Sequence, residues 1–324
     1  DVYKRQVHTG DGVGRPPGDH VRYGCCVLSV LADVLIPVYL VVGVGLVVGR
    51  VARVDHRPLA TLAYWVLGPA FIFDVLASAD LDPSVVGRVV AASLAVVVVV
   101  GVLATVASRL LGLSYGTGAA SVLTSIHGNV GNFGLAVCAF AFGDVALPVA
   151  SIVLVTVNTV GIFTGVGLAA FREGSVLRAA GRAVLSPLAL AVIPALAVNI
   201  SGAGLPVWLD RPIGLLAGAM IPVMLLTLGI QISGMQRSTT SALVTLPLGL
   251  KLIVAPLVAI GAAALLSLDG LEADVVIIQA AMPAAVFTSL IALEHDLEPD
   301  FVTSVVLIGT LASVLTLPIV LSLV

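Results

Sequence analysis

Gly128-Asn129-Val130-Gly131-Asn132 and, later in the chain, Gln279-Ala280-Ala281-Met282-Pro283-Ala284-Ala285 decide how this sequence folds. Each sits inside an apolar run long enough to cross a bilayer, which takes about 20 helical residues. Each also carries groups that break a helix. The glycines allow close backbone approach and positive φ, and the proline removes a donor and clashes with the turn before it. In a medium without water, the backbone groups such a break frees must find partners inside the protein. The two asparagines face the same demand.

The rest of the chain fits that setting. Of 324 residues, 59% are hydrophobic and 10% charged, with a mean hydropathy of +1.17. A soluble domain would be about 25% charged, so the sequence reads as an all-α polytopic membrane protein. Ten spans would use about 200 residues. That leaves no room among these 324 for a nucleotide-binding domain, so ATP-driven transport by these residues alone is not expected. Cys25, Cys26 and Cys138 are too few for a disulfide framework or a thiolate metal site. A net charge of -3 gives no footing for a nucleic-acid partner. No cofactor and no metal site is expected.

Spans are read at 28–49, 59–77, 87–111, 116–143, 146–171, 184–200, 212–233, 241–267, 273–293 and 300–323, with the fourth and ninth irregular. Residues 1–26 show neither an apolar period nor a signal-peptide pattern. They read as a disordered extension or translated upstream sequence. The domains expected are then a first five-helix repeat at 27–171, a cytoplasmic linker at 172–183 and a second, inverted repeat at 184–324. Arginines cluster after odd-numbered spans, at Arg50, Arg53 and Arg57, at Arg109, at Arg172, Arg178 and Arg182, and at Arg237. Basic loops stay in the cytoplasm, which places both ends of the membrane domain outside a prokaryotic plasma membrane. The acidic loop after span 9, with Glu294, Asp296, Glu298 and Asp300, departs from the pattern, but acids count little in this rule.

Five spans on each side of the linker imply two halves inserted with opposite orientation. Pro69 and Pro222 lie 153 residues apart (222 − 69), and the same offset carries Val130 to Pro283, joining the two breaks. Matching interruptions in corresponding spans mark the binding site of a transporter. Two broken helices crossing at the midplane bring two positive N-termini to one place, which favours an anion such as a carboxylate. The candidate binding residues are therefore Gly128, Asn129, Gly131 and Asn132 from the first break and Gln279, Met282, Pro283 and Ala284 from the second. Asn158 in span 5 either faces the site or bonds a neighbouring helix, and the Gln279 carboxamide could equally satisfy carbonyls freed by the proline. Lys251 either snorkels to the cytoplasmic edge or attracts the anion. His127 either packs and hydrogen-bonds or couples transport to protons.

At these residues the sequence resembles the auxin efflux carrier family, which includes prokaryotic malonate and malate permeases. The resemblance is carried by NVGNFGLAVCAFAFG from Asn129 to Gly143, ALPVA from Ala146, and IIQAAMPAAVFTSLIALEHDLEP from Ile277 to Pro299, and it extends from about Val27 to the end. It implies ten transmembrane helices in two inverted five-helix repeats, with crossing broken helices 4 and 9 moving like an elevator against a scaffold, frequently in a homodimer. It further implies that Asn129, Asn132 and Pro283 hold substrate and that Gln279 is the family glutamine before the proline. Ala136 stands where many members have proline, and Ala284-Ala285 supplies no polar side chain after Pro283, so the second half of the site is less polar than in the family. The function expected is a secondary active or facilitative carrier of a small organic anion, such as malonate, malate or an auxin-like acid. The alternative is a sodium-coupled organic-anion symporter of the bile-acid type, for which no carboxylate lies near either break. No catalytic residue is expected: the chain has no His-Glu-x-x-His helix, no Gly-x-Ser-x-Gly and no paired intramembrane aspartates.

Overall fold

The computed structural model describes residues 31–79, 82–173, 186–202, 204–235, 242–295 and 297–324. The expected extension at 1–26 and residues 174–183 of the expected linker, with Arg178 and Arg182, lie outside them, as does Arg237. The described residues form helices α1 (Ile36–Val51), α2 (Arg57–Ala77), α3 (Pro83–Leu110), α4 (Tyr115–Ile126), α5 (Val130–Phe142) and α6 (Leu147–Glu173). They continue with α7 (Pro187–Ser201), α8 (Val207–Gly234), α9 (Ala242–Leu265), α10 (Gly270–Ala280), α11 (Phe287–His295) and α12 (Pro299–Leu321). No strand occurs among them. Among the described residues seven helices are long and apolar enough to cross a membrane, while Val130–Phe142 and Pro187–Ser201 are shorter apolar helices. The chain is a multi-pass membrane protein.

Helix starts follow capping chemistry. Asp82 accepts from the Ser84 N–H at 2.7 Å, Ser114 from Thr117 at 3.2 Å and Ser186 from Ala189 at 3.3 Å, and proline occupies the first turn of α3 and α7. Widened π turns occur at Leu31–Leu35, Ala63–Leu67, Val130–Gly134 and Leu250–Val254. Three of these end one residue before an X-Pro pair, at Pro37, Pro69 and Pro256. A proline has no N–H for the carbonyl one turn back and its ring pushes that carbonyl aside, so a wider turn relieves both. Pro222, unlike Pro69, sits inside α8 without such a turn.

Two groups of helices pack around the site. In one, α1 lies on α8, and α2 lies on both α7 and α8. A Cβ on Gly45 would strike the Leu226 carbonyl and one on Gly229 the Val42 carbonyl, while one on Gly49 would meet Ser233. Gly45 and Gly49 thus face Gly229 and Ser233, small residues four apart on each helix that let the two backbones touch. In the other group, α3 packs on α4, α6 and α9, α9 on α10, and α12 on α4 and α11.

Candidate functional site

The two interruptions meet. α4 ends at Ile126 and α5 begins at Val130, α10 ends at Ala280 and α11 begins at Phe287, and the segments between them run antiparallel with Gly128 paired to Ala284. The Asn129 N–H donates to the Pro283 carbonyl at 2.7 Å, and the Ala285 N–H donates to the His127 carbonyl at 2.9 Å. The Asn129 carbonyl then accepts from the N–H groups of Phe133 and Gly134 at 3.3 and 2.9 Å, starting α5. In this way each break supplies backbone partners for the other, as a membrane interior requires.

On one side of the crossing lies a cavity of about 300 Å³. Gly128, Asn129, Gly131, Asn132 and Asn158 all line it, as do Val286 and Phe287 at the start of α11. Both second half-helices therefore present their first turns, whose N–H groups have no partner within the helix, to the same space. The opposite wall comes from α2 with Tyr64, α7 with Leu188, and α8 with Met220, Met224, Thr227 and Gln231. The Asn129 Nδ2 and the Gln231 Oε1 are buried with no hydrogen-bond partner among the described residues. No charged side chain lines this cavity among the described residues.

The second break contributes less side-chain chemistry to that space. Met282 and Gln279 are fully buried, and Ala284 is nearly so; neither they nor Pro283 line the cavity. Gln279 faces the other side of the crossing, where it shares a void of about 20 Å³ with Lys251, Gly128, Val130 and Ala280. Lys251 is buried rather than snorkelling, and its ammonium donates to the Ala280 carbonyl at 2.9 Å. A Cβ on Gly128 would meet the Lys251 Nζ at 2.9 Å, so a glycine there is what admits the lysine. One on Gly134 would strike the Gln279 carboxamide.

His127 is fully buried beside the crossing, with Nε2 2.6 Å from the Thr164 hydroxyl and its ring 5.6 Å from that of Phe287. The Thr164 hydroxyl can direct its proton to His127 Nε2 or back to the Val160 carbonyl at 3.0 Å. Whichever of the two hydroxyl directions holds, the His127 Nδ1 has no hydrogen-bond partner among the described residues.

Residues 175–321 match a family model described as membrane transport protein. An uncharacterized transporter of Methanothermobacter thermautotrophicus is 30% identical over 300 residues, covering 90% of this chain and 95% of that protein. The chain belongs to this membrane transport family, the auxin efflux carrier family. A further uncharacterized transporter, from Methanocaldococcus jannaschii, is 23% identical over 202 residues, covering 60% of this chain and 65% of that protein. In this family member the sequence pointed to the first break and to Asn158, but it missed Gln231, Thr227 and the methionine and aromatic wall. Gln231 had a usable signal, an uncharged amide inside an apolar helix.

Proposed function

We propose that this chain is a secondary carrier that moves an organic anion through the cavity beside the crossing by elevator-type alternating access. The observation that carries the reading is the antiparallel pairing of two broken helices whose second halves both start at one amide-lined cavity. Asn129 and Asn132, with Gln231 and Asn158, would donate amide N–H groups to a carboxylate, helped by the two helix N-termini. Neutral donors suit a carrier, because an anion held by amides can leave more readily than one held by a fixed charge in low dielectric. Lys251 would raise the local potential from behind Gly128, and His127 would offer a proton acceptor beside the path.

The walls of Tyr64, Leu188, Met220, Met224 and Phe287 favour an acid with an apolar body over malonate or malate, whose second carboxylate would meet no charged partner there. Ten spans in two inverted repeats, divided at the linker 172–183, also fit the contacts. The two hydrogen bonds of the crossing interchange under a single offset of 156 residues (285 − 129 and 283 − 127), three more than the offset read from the prolines. The packing of α1 on α8 has its counterpart in α7 on α2. The cavity lies between the α1, α2, α7, α8 group and the crossed helices with α6, the seam along which an elevator would slide. A homodimer in the plasma membrane, with both ends of the membrane domain outside, completes the reading.

The test is uptake and counterflow of apolar monocarboxylates and of dicarboxylates in proteoliposomes, with and without pH and sodium gradients. Counterflow of an aromatic or branched monocarboxylate, exceeding that of malonate, is the expected outcome. Failure of every carboxylate to exchange would remove the reading, and a strict dicarboxylate preference would remove its substrate class.

A further inference from the structure

A second cavity, of about 310 Å³, lies between the end of α2, the start of α3, α6 and α7, and no residue of either break lines it. Val86 and Val90 of α3 form one side, Val192 and Leu196 of α7 the other, and Leu76 and Ile152 are buried in its floor. Leu196 and, one turn on, Ile200 are exposed, so the cavity is a groove open to the bilayer. Its side-chain donors are spent. The Thr156 hydroxyl donates to the Ile152 carbonyl at 2.8 Å, and the Asn199 amide to the carbonyls of Leu76, Ala77 and Ala79 at 3.0, 3.3 and 2.6 Å. A carboxylate would find no donor there, and water would find too few partners to stay. From Val192 to Ile200 is eight residues (200 − 192), about 12 Å along the helix, close to the ~15 Å of hydrocarbon in one leaflet. At the same end of α2 and α7 a polar cavity of about 320 Å³ adjoins the groove at Asn199, and Asp74 and Asp210 line it. A Cβ on Gly214, one turn after Asp210, would lie 3.9 Å from the Asp74 carboxylate, so the two acids share the contact between α2 and α8. Among the described residues neither is ion-paired.

We propose that the groove and its polar mouth together hold one membrane phospholipid with an ammonium headgroup, an acyl chain in the groove and the ammonium at Asp74 and Asp210. A groove open to hydrocarbon fills with what surrounds it, because apolar walls left bare lose their dispersion contacts. The two carboxylates select the headgroup: they attract an ammonium and repel a headgroup that carries only the negative charge of its phosphate. The sides of the groove belong to different helix groups, α2 and α7 to one, α3 and α6 to the other, so the chain bridges the seam between them. Binding of this lipid requires neither substrate nor elevator movement, and it does not depend on what the cavity beside the crossing carries.

Thermal unfolding of the purified protein in detergent, with added phosphatidylethanolamine or phosphatidylglycerol of identical chains, tests it. The ethanolamine lipid should raise Tm saturably, by about 2–4 °C more than the glycerol lipid. Joint replacement, Asp74→Asn with Asp210→Asn, should abolish the difference between the two lipids. Val86→Trp, which fills the groove from the side of α3, should raise the half-saturating concentration of the ethanolamine lipid by roughly tenfold. An equal response to the two lipids, or a preference that survives in the double variant, would overturn the site. Should the double variant not fold, native mass spectrometry of the unaltered protein in an equal mixture of the lipids decides. Retention of one ethanolamine lipid, lost in Val86→Trp, supports the site, and absent or indiscriminate retention overturns it. Carboxylate counterflow is a separate measurement, so this site and the carrier function proposed above can fail independently.

Discussion

Replacing Asn129 with alanine separates recognition from architecture, because the main chain and side chain of this residue have different duties. Its N–H and carbonyl hold the crossing and start α5 through bonds to Pro283, Phe133 and Gly134, and alanine keeps all of these. Its side-chain Nδ2 is buried with no partner among the described residues, so no intramolecular hydrogen bond of that amide is lost on its removal. Asn129→Ala should therefore leave the apo protein at least as stable as before. If the amide donates to a substrate carboxylate, the same change removes a hydrogen bond to a charged group, worth about 1.5–3 kcal/mol. Affinity should fall by roughly ten- to 150-fold. The assay is a pair of measurements on monodisperse protein: Tm without ligand, and isothermal titration with the best monocarboxylate from the transport panel. Unchanged affinity would refute the assignment. A fall in both Tm and affinity would make Asn129 a structural residue and refute it as well.

Gly229→Val should destabilise the protein by about 1–3 kcal/mol or more, because the new side chain meets the Val42 carbonyl in the α1–α8 seam; Gly43→Ala, with nothing within 4 Å, should be neutral or stabilising by up to about 1 kcal/mol, both read from thermal unfolding. At the start of α3 the Ser84 N–H holds the Asp82 carboxyl below its ordinary value of 3.8. The cap is therefore complete above that value and is lost as pH falls through the depressed one; hydrogen exchange in the first turn of α3 should quicken over that acid range in the native protein and not in Asp82→Asn. A cysteine placed at Arg178, in the expected cytoplasmic linker, should be protected from an impermeant thiol reagent in intact cells, whereas one at Val324 should react.

The two breaks were readable because Asn, Gly and Pro clustered inside an apolar run free backbone groups that must be satisfied within the protein, and each break meets that demand at the other. Which side of the crossing each polar group faces was not readable. Asn129 and Gln279 look alike in sequence, each an amide beside a helix breaker, yet the paired backbone puts one at the larger cavity and the other at the void with Lys251. A single rotation of α10 about its axis decides that, and no residue type encodes it. Lys251 left two readings open for a similar reason. Its position suited snorkelling, and only the approach of Gly128 and the end of α10 gives the ammonium an interior place. Pro37 and Pro256 are of a kind common in membrane helices, and Pro69 served as a marker of the repeat. In the fold each follows a widened turn, a response that depends on neighbours as much as on the proline itself.

The placement of charge bears on how a carrier of this kind could work. The large cavity has amides and helix N-termini but no charged wall among the described residues, and the buried ammonium stands behind a residue with no side chain. Lys251 stands on α9, which packs on α10, and its ammonium bonds to the end of α10, so in the elevator movement proposed above it would travel with the crossing. The attraction it would exert on the proposed anion would then be the same whether the cavity opened outward or inward. A charge on α2 or α8 would instead stay behind and favour one side. Holding the cation on α9, against the crossed helices, would let affinity remain equal on the two sides in the movement proposed above, so that the direction of net movement would be set by the gradients across the membrane and not by the site.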